Sequence, residues 1–184
     1  MISDGIRNVR VFIMAAHQSE ASWDRYHRAI EAASEEIRKP LPEIEWIEPW
    51  FDHPLFIEAV ADRVKKTLET LPPDLDQLLL FTAHSIPVNM AEASRYVEHV
   101  TTSARLVAET LHRPRFQIAY QSRSGDLRIP WLGPDISDAL RELADGGTTS
   151  VLVVPIGFLS DHVEILYDLD IEARQLAEKL GIQF

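Results

Sequence analysis

The stretch that decides the fold is Leu78-Leu79-Leu80-Phe81-Thr82-Ala83-His84-Ser85-Ile86-Pro87, an apolar strand that ends in a polar loop. A second such unit covers Val151–Ile156 and is followed by Ser160-Asp161-His162-Val163-Glu164. Ligands of open α/β sheets bind at the carboxyl ends of the strands, where these polar segments begin. We therefore expect His84 and Glu164 to face one another across a single crevice.

Strand-like and helical patterns alternate outward from this stretch in both directions. This alternation predicts an α/β fold with a doubly wound, mostly parallel sheet, in a single domain of residues 1–184. We expect strands at Val9–Ala15, Ile44–Ile47, Leu78–Thr82, Arg115–Gln121 and Thr149–Ile156. The expected helices are Trp23–Arg38, Pro54–Leu71, Glu92–Leu111, Asp135–Asp145 and Asp161–Leu180, with Asp52 as the cap of the second.

The composition excludes several classes of protein. The chain has 184 residues, a net charge of −11 and no cysteine, which removes disulfides, thiol nucleophiles and iron–sulfur clusters. The acidic balance argues against nucleic acid as a partner, and no apolar run is long enough to span a membrane. Glycine-rich phosphate loops and G-x-S-x-G are absent, which disfavours nucleotide enzymes and α/β-hydrolases. The N-terminus has no signal-peptide pattern, so we expect a cytoplasmic protein.

A ladder of carboxylates follows the last predicted strand. Glu164, Asp168 and Glu172 are spaced i, i+4 and i+8, which places them along one face of a helix. Such a row is common on a solvated face, and that interpretation stays open. Alternatively, the carboxylates form a track of oxygen ligands that passes a divalent cation inward, and a π-turn would widen the helix at such a site.

Three histidines end strands or begin helices close to the predicted crevice. His84 is the best proton acceptor that the sequence offers, because imidazole titrates near neutral pH. His162 is a second ligand or a residue that orients Glu164, and His17 lines the same cleft. For each of the three, a structural hydrogen-bonding role is the alternative.

A third polar cluster follows the fourth predicted strand. It consists of Gln121-Ser122-Arg123-Ser124-Gly125 and Trp131-Leu132-Gly133-Pro134. Arg123 has the forked geometry that binds a carboxylate through two hydrogen bonds. Trp131 offers a flat apolar face to a planar ligand, or else anchors the loop as a buried side chain.

Taken together, these motifs resemble the ferrochelatases, the family that inserts Fe²⁺ into porphyrins. The resemblance covers nearly the whole chain, and its Gln-Ser-Arg-Ser-Gly segment is similar to bacterial enzymes that act on coproporphyrin III. The segments that carry it are Ala83–Pro87, Gln121–Gly125, Trp131–Pro134, Pro155–Asp168 and Glu48–Ile57.

The resemblance implies a function and a set of site residues. His84 and Glu164 take the place of the family's catalytic histidine and glutamate, and both belong to a metal path that continues through Asp168 and Glu172. Arg123, Trp131, His17 and Ser122 are expected to contact the porphyrin, either coproporphyrin III or protoporphyrin IX. Because Fe²⁺ is a substrate here, no tightly bound cofactor is expected.

The chain also departs from the family pattern. It is shorter than typical members, so residues 1–38 resemble only the tail of the first chelatase lobe, and residues 39–184 resemble the second. Gln18 stands where the family commonly has an aromatic residue. A homodimer or a separately encoded first lobe would complete the site, and a truncated lobe that binds porphyrin, haem or metal without catalysis is the alternative function.

Overall fold

A computed structural model describes residues 5–37, 42–72, 75–126 and 128–184. Within these ranges, strands and helices alternate and every strand pairing is parallel, which confirms the predicted α/β class. The strands are β1 (Asn8–Val11), β2 (Glu43–Trp46), β3 (Leu78–His84), β4 (Phe116–Gln121) and β5 (Val151–Val154). The α-helices are α1 (Arg25–Glu36), α2 (Pro54–Leu68), α3 (Val88–Glu92), α4 (Tyr96–Thr110), α5 (Ile136–Asp145), α6 (Val163–Tyr167) and α7 (Arg174–Leu180).

The three-stranded sheet has the order β4-β3-β5 and carries the core of the protein. Alternate residues of a strand point to opposite faces, and here both faces are covered. Leu79 and Phe81 pack in one apolar cluster with residues of α2 and α4, whereas Leu80 packs in another with residues of α5 and the last helix. Coverage on both faces explains why β3 begins with four consecutive apolar residues, Leu78–Phe81, and it confirms the doubly wound arrangement.

The sequence predicted one continuous sheet, but the strands form two separate sheets. β1 and β2 pair with each other in a separate two-stranded sheet, in which Val9 lies beside Ile44. Both strands alternate exposed and half-buried residues, so they lack the fully buried character of β3. The predicted lobe boundary after residue 38 falls between β1 and β2, which pair with each other, and this boundary stays a prediction.

Several helix boundaries differ from the predicted ones. The first helix opens with a π-helical turn at Glu20–Asp24 before α1, and its predicted end at Arg38 lies outside the described residues. The helix predicted at Glu92–Leu111 begins later, as α4 at Tyr96, and the short helix α3 precedes it and ends at Glu92. The cap of α2 is His53, whose Nδ1 accepts a hydrogen bond from the Leu55 amide, and not Asp52.

The last helical segment contains a π-turn in its middle. The turn spans Asp168–Ala173, between α6 and α7, and Gly181 ends the segment in the left-handed conformation that glycine tolerates. Among the described residues, none of the helices combines the length and the apolarity needed to cross a bilayer.

Candidate active site

The two side chains singled out at the strand ends lie next to each other. His84 is the last residue of β3, and Glu164 is in the first turn of α6. The distance from His84 Nε2 to Glu164 Oε2 is 3.7 Å, and the two side chains are 32% and 53% exposed. Their predicted proximity is confirmed, and solvent or a ligand reaches both groups.

Neighbouring groups fix the protonation pattern of the His84 ring. Nδ1 lies 2.5 Å from the carbonyl oxygen of Ser85, and a carbonyl oxygen only accepts hydrogen bonds. Nδ1 therefore carries the proton, which leaves the lone pair of the neutral ring on Nε2, the nitrogen that faces Glu164. The ring is thus set up to accept a proton at Nε2.

The backbone around His84 is held from two sides. The Tyr96 hydroxyl donates to the His84 carbonyl at 3.0 Å, and burial raises the pKa of Tyr96, which keeps this donor protonated. The Ser85 amide donates to the carbonyl of Gln121, and its hydroxyl donates to that of Leu132. These bonds connect the end of β3 to α4 and to the loop after β4.

A glycine brings the end of β5 close to the end of β3. A Cβ at Gly157 would lie 2.9 Å from both the Cα and the Cβ of Ala83, which is closer than Cβ contacts normally come. This approach places the Phe158 ring 6.2 Å from the His84 ring and 4.4 Å from that of His162. His162 Nε2 is buried and has no hydrogen-bond partner among the described residues, so its role as a ligand or orienting group stays a prediction.

A cleft of about 570 Å³ opens beside His84, within the size range of small-molecule and cofactor sites. Residues 14–22 supply part of its lining, which we call the N-terminal side. The rest comes from His84, the segments after β3 and β5, Met90 of α3, Tyr96 of α4 and Trp131, and the lining is mostly apolar. Glu164 is not among the lining residues, so the cleft meets the His84–Glu164 pair at its edge.

Two tryptophans hold the N-terminal side in place. Trp23 Nε1 donates to the carbonyl of Ala15 at 2.9 Å, and Trp50 Nε1 donates to that of Ile13 at 3.0 Å. His17 lines the cleft, as predicted, but it is only 4% exposed. Burial, assisted by the charge of His99, lowers the pKa of His17 to about 4, so its ring is neutral at neutral pH.

The carboxylate ladder is shaped by the π-turn. In an α-helix a four-residue step passes slightly beyond one full turn, whereas a π-turn holds more residues per turn and the same step falls short. The step from Glu164 to Asp168 is α-helical and the step to Glu172 is π-helical. The two angular offsets oppose each other, which keeps the three carboxylates along one side.

The predicted metal ligands are not gathered around one point. Among the described residues, no three histidine, aspartate or glutamate side chains could hold one metal ion together. The reason is axial spacing, because eight helical residues separate Glu164 from Glu172 by about 12 Å. The ladder resembles a path more than a coordination site, and its role in metal transfer stays a prediction.

The loop after β4 contributes residues to two places. Ser122 has a left-handed backbone, with φ of 62°, and its hydroxyl donates to the Asp168 carboxylate. Trp131 lines the cleft and forms a β-bridge with Pro87. Arg123 is exposed, and its porphyrin contact, like that of Ser122, stays a prediction.

Sequence reasoning missed three contributors to the site. No role was predicted for Phe158, although the apolar run before it indicated that a strand ends there. His99 and Ser103 also received none, although their i, i+4 spacing on a buried helix face was visible in the sequence. Both are fully buried, and both contact the N-terminal side of the cleft.

Comparison with known proteins identifies the family. The ferrochelatase family model matches residues 1–184, and the chain belongs to the ferrochelatase family. The resemblance inferred from the sequence motifs is therefore confirmed.

Two curated relatives of this chain are both coproporphyrin III ferrochelatases. The chain is 40% identical over 189 residues to the coproporphyrin III ferrochelatase of Mycobacterium leprae (strain Br4923), covering 100% of this chain and 56% of the relative. Identity to the coproporphyrin III ferrochelatase of Nocardia farcinica (strain IFM 10152) is 39% over 194 residues, covering 100% and 55%. The chain thus spans just over half the length of these relatives.

Proposed function

We propose that this chain takes part in the insertion of Fe²⁺ into a porphyrin, in the synthesis of haem. The observation that carries the proposal is the His84–Glu164 pair, 3.7 Å apart, at the edge of a largely apolar cleft of about 570 Å³. Such a cleft suits a flat, apolar macrocycle. The names of the relatives favour coproporphyrin III as the substrate over protoporphyrin IX.

The proposed chemistry is proton removal coupled to metal entry. Charge balance requires two pyrrole protons to leave for each Fe²⁺ that enters the ring. His84 accepts the two protons one after the other on Nε2, because Nδ1 already donates to Ser85. Glu164 stabilises the resulting imidazolium across the 3.7 Å gap. The carboxylates of Glu164, Asp168 and Glu172 pass each proton on to solvent in this proposal. General base catalysis of this kind contributes about 10²- to 10⁴-fold to a rate.

The remaining site residues bind the two substrates in this proposal. Trp131 and His17 contact the macrocycle in the cleft, and Arg123 pairs with a peripheral carboxylate. Binding energy from these contacts bends the ring and exposes a pyrrole nitrogen. Asp168 and Glu172 pass the metal towards Glu164. Fe²⁺ is a substrate throughout, and the proposal requires no tightly bound cofactor.

The proposal extends to partners and location. Residues 1–38 form part of a first lobe, and residues 39–184 form the second. A second copy of the chain or a separate first-lobe protein supplies the part of the porphyrin pocket that this chain does not provide. A sequence without cysteine is compatible with the cytoplasmic location that we assign to the protein.

The proposal is tested by following coproporphyrin III fluorescence during incubation with Fe²⁺ under reducing conditions, or with Zn²⁺. We expect wild type to metallate the porphyrin and His84→Ala to be slower by about 100-fold or more. His112→Asn is the matched control, because His112 is exposed and asparagine tolerates its left-handed backbone.

Equal rates in wild type and His84→Ala would refute the role of His84. Tight porphyrin binding with no metallation by wild type would instead support the alternative function, a lobe that binds porphyrin, haem or metal without turnover.

A further inference from the structure

The cleft is built from segments that are far apart in the sequence. Its N-terminal side consists of residues 14–22, whereas His84 is the last residue of β3. Both are hydrogen-bonded to the same element, helix α4, through side chains that the proposed chemistry does not use.

The three residues concerned lie on one face of α4. Tyr96, His99 and Ser103 are spaced i, i+3 and i+7, and all three are buried. Tyr96 at one end donates its hydroxyl to the carbonyl of His84 at 3.0 Å. The edge of its ring also meets the ring of His17, with centroids 6.3 Å apart.

Ser103 holds the N-terminal side through His17. Its hydroxyl donates to the carbonyl of Phe51 at 2.6 Å, and a hydroxyl has one proton to give. The 3.0 Å contact with His17 Nε2 is therefore one in which the imidazole N–H donates to Ser103 Oγ. Ser103 thus links the cleft lining to the loop that precedes α2.

His99 holds the next residue of the same segment. Its Nδ1 accepts a hydrogen bond from the Gln18 amide at 3.2 Å. Its ring stacks on Phe51, with centroids 3.7 Å apart and planes 8° from parallel. Full burial on α4 leaves the ring little freedom to turn, so the position of Gln18 follows that of the helix.

We propose that Tyr96, His99 and Ser103 are positioning residues that fix the width of the cleft between its N-terminal side and His84. The proposal deepens the proposed function, on which the identity of the ligand rests. Helix α4 acts as a rigid spacer, because three of the four hydrogen bonds of these side chains end on the two sides of the cleft, and the fourth holds the loop before α2. A core role alone would stabilise the fold without setting this distance.

The direct test measures the width without any ligand. The chain has no cysteine, so spin labels attach only where cysteines are introduced. Glu20→Cys and Ser160→Cys place them at exposed positions beside cleft-lining residues. We expect Ser103→Ala, His99→Phe and Tyr96→Phe each to shift or broaden the label-to-label distance distribution measured by pulsed electron resonance.

Two further variants sharpen this measurement. Thr101→Ala, at an exposed position of the same helix, is expected to leave the distribution unchanged. His99→Asn, which restores an acceptor near the position of Nδ1, is expected to return it towards that of the parent. If the three test variants keep the parent distribution, the proposal is overturned.

A second measurement separates cleft width from general stability. N-methylation forces a porphyrin out of plane, so the affinity ratio for N-methylated and planar coproporphyrin reports the shape of the cleft. Ser103→Ala removes the hydrogen bonds to Phe51 and His17, and we expect it to change this ratio by about 2- to 10-fold. An equal change in both affinities would show a purely structural role. If wild type binds neither ligand, the proposed function fails, and the label distances still decide the positioning role.

Discussion

The two sheets of this chain differ in how completely they are covered. In the three-stranded sheet, Leu79, Leu80 and Phe81 have no exposed surface, and helices lie on both faces. Beside the two-stranded sheet, no residue of α1 is buried, and Met14 is 69% exposed. The first region is a self-contained scaffold for His84, whereas the second supplies one side of the cleft and leaves apolar surface for the proposed first-lobe partner.

The largest expected effect is a difference in stability between the two regions. Leu80→Ala leaves a cavity in the covered sheet, so we expect the free energy of unfolding to fall by about 2–5 kcal/mol. The matched variant Ile30→Ala, at a half-buried position of α1, is expected to cost less than about 1 kcal/mol. Urea denaturation followed by circular dichroism measures both. Equal losses would show that α1 packs as tightly as β3.

Acid is expected to weaken the N-terminal side next. Burial lowers the pKa of His17 to about 4, whereas the unfolded value is near 6.5. Between these values the unfolded chain binds more protons, so stability is full above pH 6.5 and falls by about 3 kcal/mol as the pH drops to 4. Burial also lowers the pKa of His99, which changes the stability with pH in the same direction.

This pH dependence is measured by urea titrations between pH 4 and pH 7. The variant His17→Phe is expected to flatten the slope, while the exposed-histidine variant His112→Asn keeps it. A wild-type slope in His17→Phe would show that the neutral His17 ring does not link stability to pH.

The close approach of Gly157 to Ala83 is the next feature to test by mutation. A methyl group at Gly157 would lie 2.9 Å from Ala83, so Gly157→Ala is expected to cost about 1–3 kcal/mol and to displace the end of β3. Gly133→Ala, where a Cβ meets only an ordinary 3.7 Å contact, is the control. Thermal unfolding gives the cost, and a fully stable Gly157→Ala protein would contradict the described approach.

The smallest expected effect separates two roles for Ser122. Its hydroxyl donates to Asp168, so Ser122→Ala is expected to change the KM for the metal by about 2- to 10-fold. The porphyrin affinity stays as in wild type if Asp168 is the only partner of this hydroxyl. Ser124→Ala, at an exposed neighbouring position, is the control. A loss of porphyrin affinity alone would favour the predicted porphyrin contact over the contact with Asp168.

The sequence predicted those features that local patterns encode. The apolar runs at β3 and β5 placed both strands, and the motifs after them placed His84 beside Glu164. The split into two sheets was not predictable, because it depends on which strands pair across long connections. The π-turn at Asp168–Ala173 was anticipated only as an option, since backbone hydrogen-bond register leaves no clear side-chain pattern.

The network on α4 escaped prediction for a different reason. His99 and Ser103 look like ordinary helix residues in the sequence, and their importance comes from what they touch. Their partners, Gln18 and His17, are more than 80 positions away. Contacts of this kind follow from the tertiary packing of two regions, and the i, i+4 spacing of His99 and Ser103 does not reveal their partners.

The most direct test of the central claim is a crystal structure of the chain with coproporphyrin III. We expect the macrocycle to lie in the cleft between the N-terminal side and Trp131, with a pyrrole nitrogen facing Nε2 of His84 and Glu164 at the same edge. A macrocycle bound elsewhere, or His84 turned away from its nitrogens, would contradict the account.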